Sequence, residues 1–204
     1  MPLKKICVFC GSSYGRGDAF TIAAKKLANA FVNHNIELVY GGSRFGIMGI
    51  LADTCLEKNG KVIGVMPKLL VDREAAHNGL HKLLVVDSMH ERKATMEKES
   101  DAFIAMPGGL GTTEELFEMW TWGQLGIHKK PLALYNVSGF FDKLLEFMDV
   151  QIENGFLEKT YKEMVVVSHD PEEIIKKLQS YTHPKLDKAF EALKKFNSVN
   201  PKRT

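Results

Sequence analysis

Seven short apolar runs, rich in β-branched and aromatic residues, alternate along this chain with turns and with stretches of helical spacing. They occupy about residues 6–10, 36–40, 61–66, 83–86, 102–106, 132–135 and 165–167. After the first run, Phe20, Ala23, Ala24, Leu27, Ala30 and Phe31 repeat at the period of a helix. A second helix, about 47–57, stops at Asn59-Gly60, a common exit signal. Ser88 and Glu91 have the spacing of a capping box and open a helix that runs to about Ser100. Further helices are expected through Trp122, over about 140–154, and after Asp170, a good N-cap placed before a proline. Only the third run, ended by Pro67, leads into an irregular stretch, 68–80.

Alternation of this kind specifies a parallel sheet covered on both faces, with right-handed crossovers. The expected fold is therefore α/β, a Rossmann-like doubly wound sheet of about seven strands with helices on both faces. One domain spans 1–181. A C-terminal segment, 182–204, carries an amphipathic stripe (Leu186, Phe190, Leu193) before a polar end and is expected to be a docking helix with a tail. In such sheets ligands bind beyond the carboxyl ends of the strands. Three Gly-rich turns, at 11–17, 41–46 and 107–112, fall at that edge.

Composition narrows the function classes. A chain of 204 residues, 45% hydrophobic and 25% charged, can bury a sizeable core. A formal net charge of +2 gives no reason to expect nucleic acid as a partner. No apolar stretch reaches the length of a membrane span, and the N-terminal apolar run is too short for a signal peptide, so a cytoplasmic protein is expected. Three cysteines without framework spacing do not make a disulfide scaffold. Cys7 and Cys10 form a C-x-x-C pattern, but inside a strand positions i and i+3 point to opposite faces, so both read as inert core thiols. His34, His128 and His169 sit in loops with no ligand spacing, and no metal or cofactor is expected.

The strongest local feature is PGGLGTTEE, residues 107–115. Its glycines let the backbone approach a ligand closely, and the helix start that follows offers free N–H groups and partial positive charge. It lacks the Gly-Lys-Ser/Thr of a Walker A loop, and Glu114 stands where a dinucleotide fingerprint needs its third glycine. Thr112 and Glu115 also have capping-box spacing, so from spacing alone Glu115 is either a helix cap or a functional carboxylate. Arg92 and Lys93 lie near the start of the helix after the fourth run. A basic pair there opposes the helix dipole and marks either a site or a solvated pair with Lys93 facing Glu97. The turn GGSRFGIMG, 41–49, reads as a place where a ligand or neighbouring backbone comes close. Met119, Trp120 and Trp122 read as core or interface.

Together these segments resemble the Lonely Guy family of phosphoribohydrolases, whose P-G-G-x-G-T-x-x-E turn is matched by Pro107, Gly108, Gly109, Gly111, Thr112 and Glu115. The stretch MHERK, 89–93, is similar to the family's M-H-x-R-K segment, and FCGSS at 9–13 and YGG with GIMG at 40–49 match two more in order. The resemblance covers about residues 5–180. It implies release of a free base and ribose 5-phosphate from plain or N6-modified adenosine monophosphate, with Arg92 and Glu115 as the catalytic pair. It further implies that Gly108, Gly109, Leu110, Gly111 and Thr112 hold the nucleotide phosphate with Lys93, and that Thr113, Ser13, Gly42, Glu74 and Thr121 contact substrate. Asp72 stands where the family's P-R-E segment has proline, which weakens the Glu74 match. Thr121 is six residues from Glu115, about 240° around the helix, so the two do not line one pocket from one chain. That suits a homodimer with the site at its interface, as the resemblance implies. The competing reading is a non-catalytic carrier of a nucleotide or of molybdenum cofactor. The family has also carried a lysine decarboxylase label, and no lysine here has a context for pyridoxal phosphate.

Overall fold

The structure is a computed structural model that describes residues 3–73 and 75–184. Its strands are β1 (Lys5–Phe9), β2 (Glu37–Tyr40), β3 (Val62–Pro67), β4 (Lys82–Val86), β5 (Ala102–Ala105), β6 (Leu132–Tyr135) and β7 (Val165–Ser168). All seven expected runs are strands, and every pairing between them is parallel. The helices are α1 (Ala19–Asn33), α2 (Gly46–Glu57), α3 (Lys68–Val71), α4 (Met89–Lys98), α5 (Leu110–Gln124), α6 (Asp142–Glu153), α7 (Lys159–Glu163) and α8 (Pro171–Gln179). The short helices α3 and α7 carry too little periodicity to be read from sequence. The expected C-terminal helix lies outside the described residues beyond Pro184.

Strand alternation divides the interior into two layers. Ile6 and Val8 of β1, Leu38 and Tyr40 of β2, and Ile104 of β5 pack with Leu27 of α1, Leu51 of α2 and Ile175 of α8. Cys7, Phe9, Val39, Val65 and Phe103 face the other way, onto Met96 of α4, Leu116 and Trp120 of α5, and Met148 of α6. The sheet is thus covered on both faces, as a doubly wound fold requires. Cys7 and Cys10 fall in opposite layers, as their spacing dictates, and burial pushes both thiols up.

The sheet order is β4-β3-β2-β1-β5-β6-β7. The chain winds outward from β1 to the β4 edge, then returns to the centre through α4 and continues to β7. The switch point lies between β1 and β5, where Gly11 donates from its N–H to the Pro107 carbonyl (3.1 Å). The turn that opens α2 docks onto the same place. Ile47 N–H donates to Ser13 O and Met48 N–H to Gly11 O, each at 3.3 Å. The three Gly-rich turns therefore form one floor.

Candidate active site

Helix α5 begins at Leu110, with Gly109 as its N-cap and no side-chain capping bond. Its first N–H groups take no side-chain cap and stand on the positive end of the helix dipole, an arrangement suited to an anion. This removes the cap reading of Glu115: the N-cap lies six residues before it, so Glu115 is no member of a capping box. Glu115 is buried in the second turn and accepts a hydrogen bond from Arg92 Nη1 at 2.6 Å, with both side chains 9% exposed.

Arg92 lies in the first turns of α4. Ser88 caps that helix, accepting from Glu91 N–H (3.1 Å), while the Glu91 carboxylate reaches back to Asp87 N–H (2.8 Å). The expected capping box is present, displaced by one residue on its return arm. Adjacent strands do not bring Arg92 and Glu115 together: β3, β2 and β1 lie between β4 and β5. The long arginine arm spans the difference, with Nε donating to the Val65 carbonyl of β3 at 3.0 Å. Two fixed bonds on one rigid guanidinium orient it.

Burial raises the Glu115 carboxyl above the ordinary carboxylate range, and the Arg92 charge and hydrogen bond only partly offset it. The pair opens onto a cavity of about 430 Å³, within the range of small-molecule sites. Gly109, Leu110, Gly111 and Thr112 line it beside Arg92 and Glu115. Apolar side chains, Phe45, Met48, Met66 and Leu70, close the opposite wall. A second chamber of about 310 Å³ adjoins it across Gly11, Ser12 and Gly109, and Ser13, Gly108, Phe20 and Phe140 line that one.

The remaining residues singled out in the sequence are placed less centrally. Lys93 lines neither chamber; its ammonium is held by Glu114 and by Glu118 (3.0 Å) on α5, and is not free for a phosphate. Nor does it face Glu97, which pairs with Lys130 (2.5 Å). Thr113 turns its hydroxyl back to the Gly109 carbonyl (3.2 Å). Gly42 lines neither chamber, although Gly41 and Ser43 on either side of it line the larger one; its carbonyl accepts from His77 N–H (2.9 Å). Thr121 is exposed on the far side of α5, as its angle requires. Glu74 lies outside the described residues. Sequence reasoning missed Leu70 and Ala75, which reach the cavity from the stretch read as irregular. Among the described residues no three His, Cys, Asp or Glu are grouped to hold a metal. His128 is buried against the Met119 carbonyl (3.0 Å).

Residues 48–178 match the model of the family described as possible lysine decarboxylase. Over 178 residues the chain is 47% identical to the cytokinin riboside 5′-monophosphate phosphoribohydrolase LOG3 of Arabidopsis thaliana, covering 87% of this chain and 83% of that one. It is 43% identical over 191 residues to the probable phosphoribohydrolase of the same description, LOGL2, of Oryza sativa subsp. japonica, covering 94% and 78%. Among solved structures, the molybdenum cofactor carrier protein of Chlamydomonas reinhardtii superposes with a TM-score of 0.66 over 87% of this chain and 99% of that one. The molybdenum cofactor binding protein of Rippkaea orientalis does so with a TM-score of 0.67 over 88% and 98%. Each is 20% identical to this chain, which bears on the fold alone.

Proposed function

This chain belongs to the Lonely Guy family of phosphoribohydrolases, and on that premise we propose that it hydrolyses the N-glycosidic bond of adenosine 5′-monophosphate or its N6-modified forms. The products are the free base and ribose 5-phosphate. The observation that carries this reading is the buried Arg92–Glu115 pair facing a cavity floored by an uncapped helix start.

The chemistry follows from that arrangement. Water adds to C1′ of the ribose, the C1′–N9 bond breaks, and the base leaves with a proton. The reaction passes through a state with positive charge on the sugar, by analogy with glycoside hydrolysis. A Glu115 carboxylate in a dry site stabilises that charge and orients the attacking water. Arg92 holds the carboxylate in place and offers its remaining N–H groups to substrate oxygens. The free N–H groups of residues 109–112 bind the 5′-phosphate, and the energy of that remote contact lowers the barrier at the sugar. Incubation with AMP and with isopentenyl-AMP, reading free base and ribose 5-phosphate, tests the assignment.

Lysine decarboxylation fits these residues poorly. A Schiff-base lysine must be neutral to react, and among the described residues no lysine lines either chamber. For Lys93, beside Arg92, burial lowers the pKa, but hydrogen bonds to Glu114 and Glu118 outweigh it and keep the ammonium charged.

The same reading makes the protein a homodimer in the cytoplasm. Met119 and Trp120, once reasonable as an interface core, belong to the chain's own interior. Support for a dimer comes instead from Leu110, 90% exposed at the cavity mouth, and from exposed Leu125 and Ile127 beyond Thr121. A cytoplasmic setting suits three free buried thiols. Cell fractionation tests it.

A further inference from the structure

The turn after β2 is marked by its sequence as a place of close approach, and what approaches it is the Arg92 guanidinium. A Cβ placed on Gly41 would stand 2.2 Å from Arg92 Nη2 and 3.0 Å from Met48 Sδ. The methionine is a flexible neighbour that can yield. The guanidinium has no such freedom, because Nε is bonded to Val65 O at 3.0 Å and Nη1 to Glu115 at 2.6 Å. A methyl group at Gly41 must therefore break one of these bonds. Gly41 does not have a positive φ, so its backbone accepts any L-residue. The exclusion of a side chain comes from packing against the arginine and not from the turn.

We propose that Gly41 is a positioning residue, the seat that lets Arg92 lie flat between the Val65 carbonyl and Glu115. This rests on the reading of Arg92 and Glu115 as the reacting unit. The charged and titratable groups around Glu115 are Arg92 and Lys93 from α4, Glu114 on α5, and the thiols of Cys7 and Cys10 on the β1 side. Of these, Arg92 stands nearest the seat, its Nη2 being the first atom that a Cβ on Gly41 would meet. Displacing it removes the charge and hydrogen bond that hold the Glu115 carboxyl down, so that carboxyl titrates higher.

The test compares wild type, Gly41→Ala and Arg92→Ala by carboxyl-carbon NMR titration of Glu115, by thermal melting and by turnover of AMP. Gly41→Ala is expected to raise the Glu115 titration in the same direction as Arg92→Ala, and to lower kcat roughly 10- to 100-fold while the fold survives. In an Arg92→Lys background the same glycine change is expected to alter turnover less than about threefold, because lysine has no second guanidinium nitrogen to displace. An unchanged Glu115 titration in Gly41→Ala overturns the proposal. So does an equal loss in both backgrounds, or a folding defect that Arg92→Lys does not relieve. Full turnover in Arg92→Ala would remove the underlying reading instead. Loss in Arg92→Ala with wild-type behaviour in Gly41→Ala would remove the seat alone.

Discussion

Glu115 shows what a single residue reveals in sequence and what it conceals. Its spacing from Thr112 fits a cap as well as a functional carboxylate. The decision rests on where α5 begins, at Leu110 after a glycine N-cap, and on an arginine 23 positions earlier in the chain. Lys93 shows the opposite outcome. Its residue type suits a phosphate, yet its partners are two glutamates 21 and 25 positions away on another helix. No local pattern encodes such contacts. Glu115→Gln keeps the shape and removes the charge, so turnover is expected to fall roughly 100-fold or more while thermal melting confirms a folded protein. Arg92→Ala should do likewise, and the double variant should be little worse than either, because groups that act as a unit lose their effect together. A pH profile of kcat/KM adds a further check. Burial raises the Glu115 pKa, and the reaction uses its carboxylate form. Activity should therefore be lost on acidification at a pH above the ordinary glutamate range. An acid limb at or below that range would show that another group controls the rate.

At the scale of elements, hydrophobic periodicity carried most of the information. Each strand was visible because alternate residues face different helix layers, as Cys7 and Val8 do in β1. Helix α7 was not visible, because its five residues bury only Tyr161 and leave no stripe. Strand order was not legible either. Consecutive strands β4 and β5 are not neighbours, because β4 is an edge strand and the chain returns across the sheet through α4. Sequence did place the Gly-rich turns at one edge, and their mutual packing makes a strong prediction. Gly46 opens α2 with φ 61°, and a Cβ there would stand 2.2 Å from the backbone carbon of Ser12. Gly46→Ala should destabilise the protein by roughly 2–3 kcal/mol in chemical denaturation, from strain and overpacking together. Unchanged stability would mean that the two turns are not rigidly docked. Cys7→Ala, by contrast, should reduce stability by about 1 kcal/mol and leave turnover per folded molecule unchanged. Loss of activity in that variant would give the thiol a chemical role and overturn its reading as an inert core group.

For the whole molecule, assembly and substrate are linked through helix α5, which carries both Glu115 and Thr121. Thr121 and Glu115 occupy different sides of this helix, with exposed Leu110 at its start and exposed Leu125 and Ile127 just past its last residue, Gln124. Light scattering at enzyme concentrations used for assay should give the mass of a dimer. A fully active monomer would show that one chain completes the site. The proposed chemistry puts a 5′-phosphate on the floor of Gly-rich turns and leaves Arg92 and Glu115 to open the bond between sugar and base. The most direct measurement follows free base and ribose 5-phosphate released from AMP and isopentenyl-AMP, with adenosine alongside, by wild type and by Glu115→Gln. The account predicts the two products in equal amounts from the nucleotides, little from adenosine, and a near-complete loss in the variant with nucleotide still bound. Nucleotide bound but never cleaved by wild type, or adenosine cleaved as fast as AMP, would contradict it.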